Sequence, residues 1–361
     1  MAEIGLRKAD LDTPALWVDL ARLERNIERI AAEVRSAGVG WRPHTKGIKT
    51  PAIAHQLLRA GALGITCAKL GEAEVMAAAG VRDILVANQV VGPQKVMRLA
   101  ALQQQADVKA AVDNPDNVAA IGAAACALGV EVGLLIEVNT GMNRAGVAPG
   151  EPAVALARRI EATRGVRFRG LMSWEGHALA LDDEEARRRC IVESIGLLAE
   201  SVERCRQAGL PVEIVSAGGS GTYRITAHQP TITEVQAGGA IFGDQTYQQW
   251  GVTTEPALFI HARVTSRPAP NRIICDAGFK TATRGFLPPR PVDFPAASVA
   301  LSAEHGIITL EAPDNCLQVG DTFDLVVGYS DATVYLHDTL YGVRNGMVEA
   351  AWEIQGRGKL R

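Results

Sequence analysis

The sequence predicts an α/β protein, a (β/α)8 TIM-type barrel followed by an antiparallel β domain. Three observations carry this. From Gly38 to about Gly243 a short β-rich apolar run, a loop bearing Gly, Asn or Pro, and an Ala/Leu/Glu/Arg-rich amphipathic stretch recur in that order, the signature of parallel βα units. Eight strand candidates fit a closed barrel, whereas no GxGxxG follows a first strand to support an open doubly wound sheet. After about Val252 the chain changes to Thr/Val/Ile-rich runs separated by turn residues.

The elements follow in order. Residues 14–19 read as a strand and 20–37 as a long helix, in which Leu23, Ile27, Ile30, Ala31 and Val34 recur at helical spacing. Barrel strands are expected at 38–44, 64–69, 83–88, 107–112, 131–139, 168–174, 212–219 and 233–242. Helical patterns lie between them, among them 51–61, 71–80 and 184–209, several ending on the Gly expected just past a helix. The β runs beyond 252 include "FIHARVTSRP", "RIICDAG", "GIITLEA", "DTFDLVVGYS" and "ATVYLHDTLYGVRNG". The expected division is an N-terminal strand, 1–20, packing with the β domain; a barrel, 21–250; and the β domain, 251–361.

Composition excludes several classes. A net charge of −3 without a basic tail argues against a nucleic-acid partner. The start of the chain lacks the apolar run of a signal peptide, and no segment has eighteen uninterrupted apolar residues, so no membrane partner is expected. The six cysteines fall singly, without CxxC or zinc-site spacing, and read as buried small hydrophobes in a reducing compartment. A soluble cytoplasmic protein is expected.

In such a barrel the chemistry sits at the carboxyl ends of the strands, and "RPHTKGIKTP" (42–51) is the end of the first strand and its loop. A desolvated lysine there, flanked by cations, becomes a nucleophile able to form a Schiff base; the plain alternative is a solvated basic loop. A second cluster, "VSAGGSGTY" (215–223) with "QAGGAIFGDQTY" (236–247), places glycines and hydroxyls where barrels bind phosphate. Tight strand-to-helix turns also need Gly and are the competing explanation.

These stretches, with "TCAKLGEAEVMAAAGVRDILVAN", "EVNTGMNRAGV", "LMSWEGHA", "SAEHG" and "YSDATVYLHDTLYGVRNG", come in an order that resembles the D-threonine aldolase and D-serine dehydratase family. These are fold-type III pyridoxal 5'-phosphate (PLP) enzymes with an alanine racemase-like barrel. The resemblance implies Lys46 as the Schiff-base lysine, His44 as its partner and Arg144 near the cofactor ring, where a cation leaves the pyridine nitrogen poorly protonated. It implies a phosphate cup of Gly218, Gly219, Ser220, Gly221 and Thr222, with Gly238 and Gly239 nearby. The chain departs from the pattern at Ile48, where a second histidine is usual, at Ala68, where a glutamine is, and at Trp174, where an aromatic hydroxyl is.

The largest departure is in "GYSDATVYLHD": Tyr329 stands where the family commonly has a histidine metal ligand, while Asp331 keeps the second position. Three accounts stay open. Asp331 binds a divalent ion with help from His305 or His337; Tyr329 replaces the metal as a phenolic acid/base, provided a cation lowers its pKa; or the activity has moved elsewhere. For His337 a structural hydrogen bond on a strand is the plainer reading. Met142, Met172, the acidic start of the 184–209 helix, His55, His228 and His261 are assigned no role.

The implied activity is lyase chemistry on a D-configured β-hydroxy-α-amino acid, giving glycine or a small amino acid plus an aldehyde. The alternatives are a dehydratase of the D-serine or 3-hydroxyaspartate type, and a racemase or epimerase using Lys46 with Tyr329 or His177. A homodimer is implied by the same resemblance.

Overall fold

The computed structural model describes residues 3–315 and 317–361. Two compact units emerge, one of Ala31–Lys46, Ile53–Gly238 and Lys359–Arg361, the other of Met1–Ile30, Gly47–Ala52 and Gly239–Gly358. The chain begins with β1 (Ala15–Asp19) and α1 (Leu20–Ser36). The βα alternation then runs β2 (Gly40–Trp41), α2 (Pro51–Arg59), β3 (Ile65–Cys67), α3 (Leu70–Ala78), β4 (Asp83–Gln89), α4 (Pro93–Leu102), β5 (Asp107–Val112) and α5 (Pro115–Leu128). It continues through β6 (Val132–Glu137), α6 (Glu151–Glu161), β7 (Val166–Met172), α7 (Glu184–Gln207), β8 (Ile214–Ala217), α8 (Tyr223–Thr226), β9 (Glu234–Val235) and α9 (Gln245–Gln249).

The first unit is the barrel. Its eight parallel strands neighbour one another in the order β2, β9, β8, β7, β6, β5, β4, β3. The ring closes where the Leu63 amide donates to the Trp41 carbonyl (2.8 Å), Thr66 to Pro43 (2.9 Å), and His44 forms a parallel bridge with Thr66. Strands such as β6, buried at all six positions, are apolar up to their last residue, Glu137, because both faces are covered. Leu85, Ala111, Leu135, Met172 and Ile214 from five successive strands make one core cluster. Helix ends follow local chemistry: the Asn114 side chain accepts from the Asp116 and Asn117 amides to start α5, and Gly129 at φ +64° ends it.

The second unit holds a nine-stranded sheet of β1 with β10 (Leu258–Ala269), β11 (Arg272–Cys275), β12 (Arg290–Pro291), β13 (Ala296–Leu301), β14 (Gly306–Leu310), β15 (Thr322–Val326), β16 (Thr339–Arg344) and β17 (Met347–Glu353). It is antiparallel except for β1 against β16. Trp17 of β1 stacks on Phe259 of β10 with centroids 4.6 Å apart, at the middle of this unit's core.

Two expectations need correction. Residues 332–338 are not a strand: after Ser330 the chain makes two short 3-10 turns, Ser330–Ala332 and Val334–Leu336, and β16 begins only at Thr339. Local bonding competes with the strand here, with Thr333 Oγ1 donating back to the Tyr329 carbonyl four residues earlier (2.9 Å). The cysteines are not uniformly buried either, since Cys126 is exposed and Cys190 half-buried; Cys316 lies outside the described residues.

Arg42, read as part of a basic cluster, is consumed by the barrel. Its guanidinium, 3% exposed, bonds Glu234 at 2.9 Å and Asp83 at 2.5 Å, and Asp83 also takes Lys109 at 2.8 Å. Burial by itself would lower the Arg42 pKa; Glu234 and Asp83 outweigh it and hold the value above normal. Removing one partner of a buried pair costs about 3–5 kcal/mol because the other charge is stranded. Arg42→Met is therefore expected to lower urea-unfolding stability by about that amount, and Arg42→Met with Glu234→Leu to recover most of it. A loss under about 1 kcal/mol in the single variant would contradict this role.

Candidate active site

Lys46 lies in a single 3-10 turn, Thr45–Gly47, directly beyond β2. The turn is tied down on each side. The Thr45 hydroxyl donates to the fully buried Glu72 carboxylate (2.6 Å), whose other oxygen takes the Ala68 amide (3.3 Å). The Lys46 amide donates to His44 Nδ1 (3.3 Å), so a neutral His44 ring carries its proton on Nε2. His44 in turn donates its amide to the Gln236 carbonyl (3.0 Å) at the end of β9. A side chain at Gly238 would collide with the His44 backbone, and the Gly238 amide donates to Ser220 Oγ (3.2 Å). Lysine loop, β9 end and the 218–222 loop are thus stitched together.

The 218–222 loop has its own frame. Gly218 sits at φ +75°, and a Cβ on Gly219 would run into the Trp174 ring, which lies against this loop. The Gly219 amide donates to Thr222 Oγ1 (3.1 Å), and that hydroxyl donates to Glu175 Oε1 (2.6 Å). Thr222, expected as a phosphate donor, therefore already directs its hydroxyl hydrogen at Glu175. The Gly221 amide meets no protein acceptor among the described residues.

Arg144 stands in the loop after β6, which is pinched by a bridge between Val138 and Val147 and by the Gly146 amide on Asp113 (2.9 Å). Its side chain is 55% exposed and lies 3.5 Å from Glu137 Oε1, while Gln89 holds the other oxygen at 2.6 Å. Ile48 is fully buried, so the position of the second histidine has become core.

In the other unit, Asp331 is gripped by two phenols: Tyr247 donates to Oδ1 (3.2 Å) and Tyr329 to Oδ2 (3.0 Å). Gly47 abuts this carboxylate too closely to tolerate a Cβ, and Gly239 likewise meets the Tyr247 ring. Tyr247, Trp250, Phe286 and Tyr329 form an aromatic cluster, with Phe286 and Tyr329 centroids 4.4 Å apart. The cation expected to lower Tyr329 is replaced by a carboxylate: burial first, then Asp331, push the phenol up, so it stays protonated and serves as a donor. His337 bonds the Thr281 carbonyl (2.8 Å) and is structural, and His305 is exposed in the turn joining β13 to β14. Among the described residues no three His, Cys, Asp or Glu side chains gather as a metal centre requires. The donor set at Asp331 does not fit a divalent ion.

The model of the alanine racemase N-terminal domain matches residues 18–246, and a serine dehydratase domain matches 257–343. A D-threonine aldolase from Arthrobacter sp is 35% identical over 99% of this chain and 96% of that protein. The chain belongs to the D-threonine aldolase and D-serine dehydratase family. A D-threonine aldolase from Filomicrobium marinum has the same fold at TM-score 0.96 and 34% identity, covering 99% of both chains. The D-threo-3-hydroxyaspartate dehydratase from Delftia sp. HT23 follows at TM-score 0.86 and 28% identity, over 96% of this chain and 98% of that one.

The family implies PLP, and the barrel unit's residues fit it. Lys46 offers the amine and Gly221 an amide donor. Buried polar atoms without partners, Thr140 Oγ1, Ser173 Oγ, Glu175 Oε2 and His177 Nδ1, follow the carboxyl ends of β6 and β7, where a polar ligand would satisfy them. The carboxylates that frame these loops, Glu72 and Glu175, escaped the sequence reading. Glu175, three residues past the apolar end of β7 in "SWEGHA", carried the one readable signal.

Asp244, fully buried, accepts the Tyr247 (2.9 Å) and Ser330 (2.7 Å) amides. Burial pushes it up to about 7, with Asp331 adding and the hydrogen bonds opposing. A folded value above the unfolded one means stability that is present below about pH 4 and lost as pH rises through about 7. Asp244→Asn is expected to flatten the pH dependence of urea-unfolding stability across that window by a few kcal/mol relative to wild type; parallel profiles would contradict the assignment.

Proposed function

We propose that the protein cleaves D-configured β-hydroxy-α-amino acids by retro-aldol chemistry, yielding glycine or a small amino acid plus an aldehyde. It is a PLP-dependent lyase of the D-threonine aldolase family. The carrying observation is Lys46 in a braced turn at a barrel strand end, stitched through His44 and Gly238 to a glycine loop. PLP, when bound, supplies an electron sink for the pair released as the substrate bond at Cα breaks.

The residues' parts are these. Lys46 anchors the cofactor through its ε-amine, and His44 orients the Lys46 peptide. Ser220 and Gly221 would hold the phosphate, Gly238, Thr222 and Gly218–Gly219 shape that loop, and Trp174 and Arg144 would lie beside the ring. The β-hydroxyl must lose its proton as Cα–Cβ breaks, and Cα must gain one. Tyr329, protonated and bonded to Asp331, steers that hydroxyl in place of a metal, and Asp331 receives the proton through it. Supporting this are the phenol–carboxylate–phenol geometry and the matching position of "GYSDATVYLHD" in the family. A metal held by Asp331 with His305 is the second account, favoured only by the family pattern.

We place the protein in the cytoplasm as a homodimer. The five described cysteines are all free, which suits a reducing compartment, and no helix among the described residues is long and apolar enough to cross a membrane.

With D-threonine, glycine and acetaldehyde are expected in equal amounts, surviving exhaustive chelation; 2-keto acid would indicate the dehydratase, and L-threonine or allo-threonine the racemase or epimerase. Tyr329→Phe is expected to lower kcat about 100-fold or more. Loss of activity with EDTA, restored by Mn²⁺ or Mg²⁺, would overturn the metal-free account.

A further inference from the structure

Glu175 follows β7 at zero exposure, and one of its oxygens does two jobs. Oε1 accepts the hydroxyls of Thr222 and Thr226, each at 2.6 Å, while Oε2 has no hydrogen-bond partner among the described residues. Both threonines then act on the glycine loop. Thr222, its proton directed at Glu175, turns a lone pair to the Gly219 amide (3.1 Å). Thr226 packs its methyl where a Cβ of Gly218 would stand, 3.1 Å away. One oxygen with two lone pairs can accept both hydroxyls at once, and Oε1 does so. The two glycines that give the loop its shape are therefore each fixed through a threonine by one buried acid.

We propose that Glu175 is a positioning residue for the cofactor's phosphate: it orients the 218–222 loop and, by accepting the Thr222 hydroxyl's hydrogen bond, leaves recognition of the dianion to the Gly221 amide and its neighbours. This rests on the PLP reading above. It makes a specific demand. The contribution of Glu175 is to the phosphate end alone, so it vanishes for a ligand that keeps the aldehyde and ring but lacks the phosphate.

The test compares affinities of the cofactor-stripped full chain for PLP and for pyridoxal by equilibrium dialysis, with thermal unfolding recorded alongside. Wild type is expected to bind PLP far more tightly than pyridoxal. Glu175→Ala should weaken PLP by about tenfold or more and leave pyridoxal unchanged, because two charge-assisted bonds that order the cup are lost. Glu175→Gln, whose carbonyl still accepts both hydroxyls and whose amide replaces the partnerless oxygen, should restore PLP binding to within about threefold of wild type. If Glu175→Ala does not fold, Thr222→Val breaks the same link to Gly219 and must show the same selective loss. Equal weakening of both ligands, or no change in PLP affinity, would overturn the proposal while leaving the cofactor reading intact. Failure of wild type to bind either compound would overturn the cofactor reading and this inference with it.

Discussion

The candidate site hangs on the close approach of the His44 backbone to Gly238. β2 and β9 meet there, and any side chain at Gly238 would occupy the space of the His44 peptide. That contact lets the Gly238 amide reach Ser220 and lets His44 bond Gln236, so ring closure, lysine turn and glycine loop share one geometry. The His44 ring accepts from the Lys46 amide through Nδ1. Glycine here serves packing first, and any role in holding an anion follows from it.

Around this stitch the loops are framed by buried carboxylates. Glu72 braces the turn before Lys46, Glu137 gathers Gln89 and Arg144, and Glu175 holds the threonines of the glycine loop. Each acid is hydrogen-bonded, which offsets the cost of taking it out of water and gives the strand ends fixed directions. At Asp331 the same logic runs with phenols as donors. A carboxylate bonded by Tyr247 and Tyr329 and pressing on Gly47 is a proton-bearing cluster, with a chemistry unlike that of a histidine-and-acid metal pair.

Much of this was legible in the sequence, for definable reasons. The eight barrel strands were readable because each is an apolar run bounded by turn residues and followed by a helical pattern. β2 and β9 shrink to two hydrogen-bonded residues each because the chain there turns at once into site loops. Lys46 and the glycine runs stood out because their residue types are conspicuous at strand ends. What stayed hidden depends on partners distant in sequence: Arg42 looked like an anion ligand until Glu234 and Asp83 claimed it, and Thr222 looked like a donor to phosphate until Glu175 accepted its hydroxyl. Residues 332–338 have strand composition, and only the backbone bonds around Tyr329 and Thr333 show why they coil.

The account's central claim is that Lys46 is the covalent anchor of the cofactor, and Lys49 makes it sharply testable because it lies three residues away and is itself buried. Borohydride reduction of the protein as isolated, followed by peptide mapping by mass spectrometry, locates the fixed pyridoxyl group. The prediction is a single modified residue, Lys46, with no fixed cofactor in Lys46→Ala. Modification at Lys49 or any other lysine, or undiminished fixation in the variant, would contradict it.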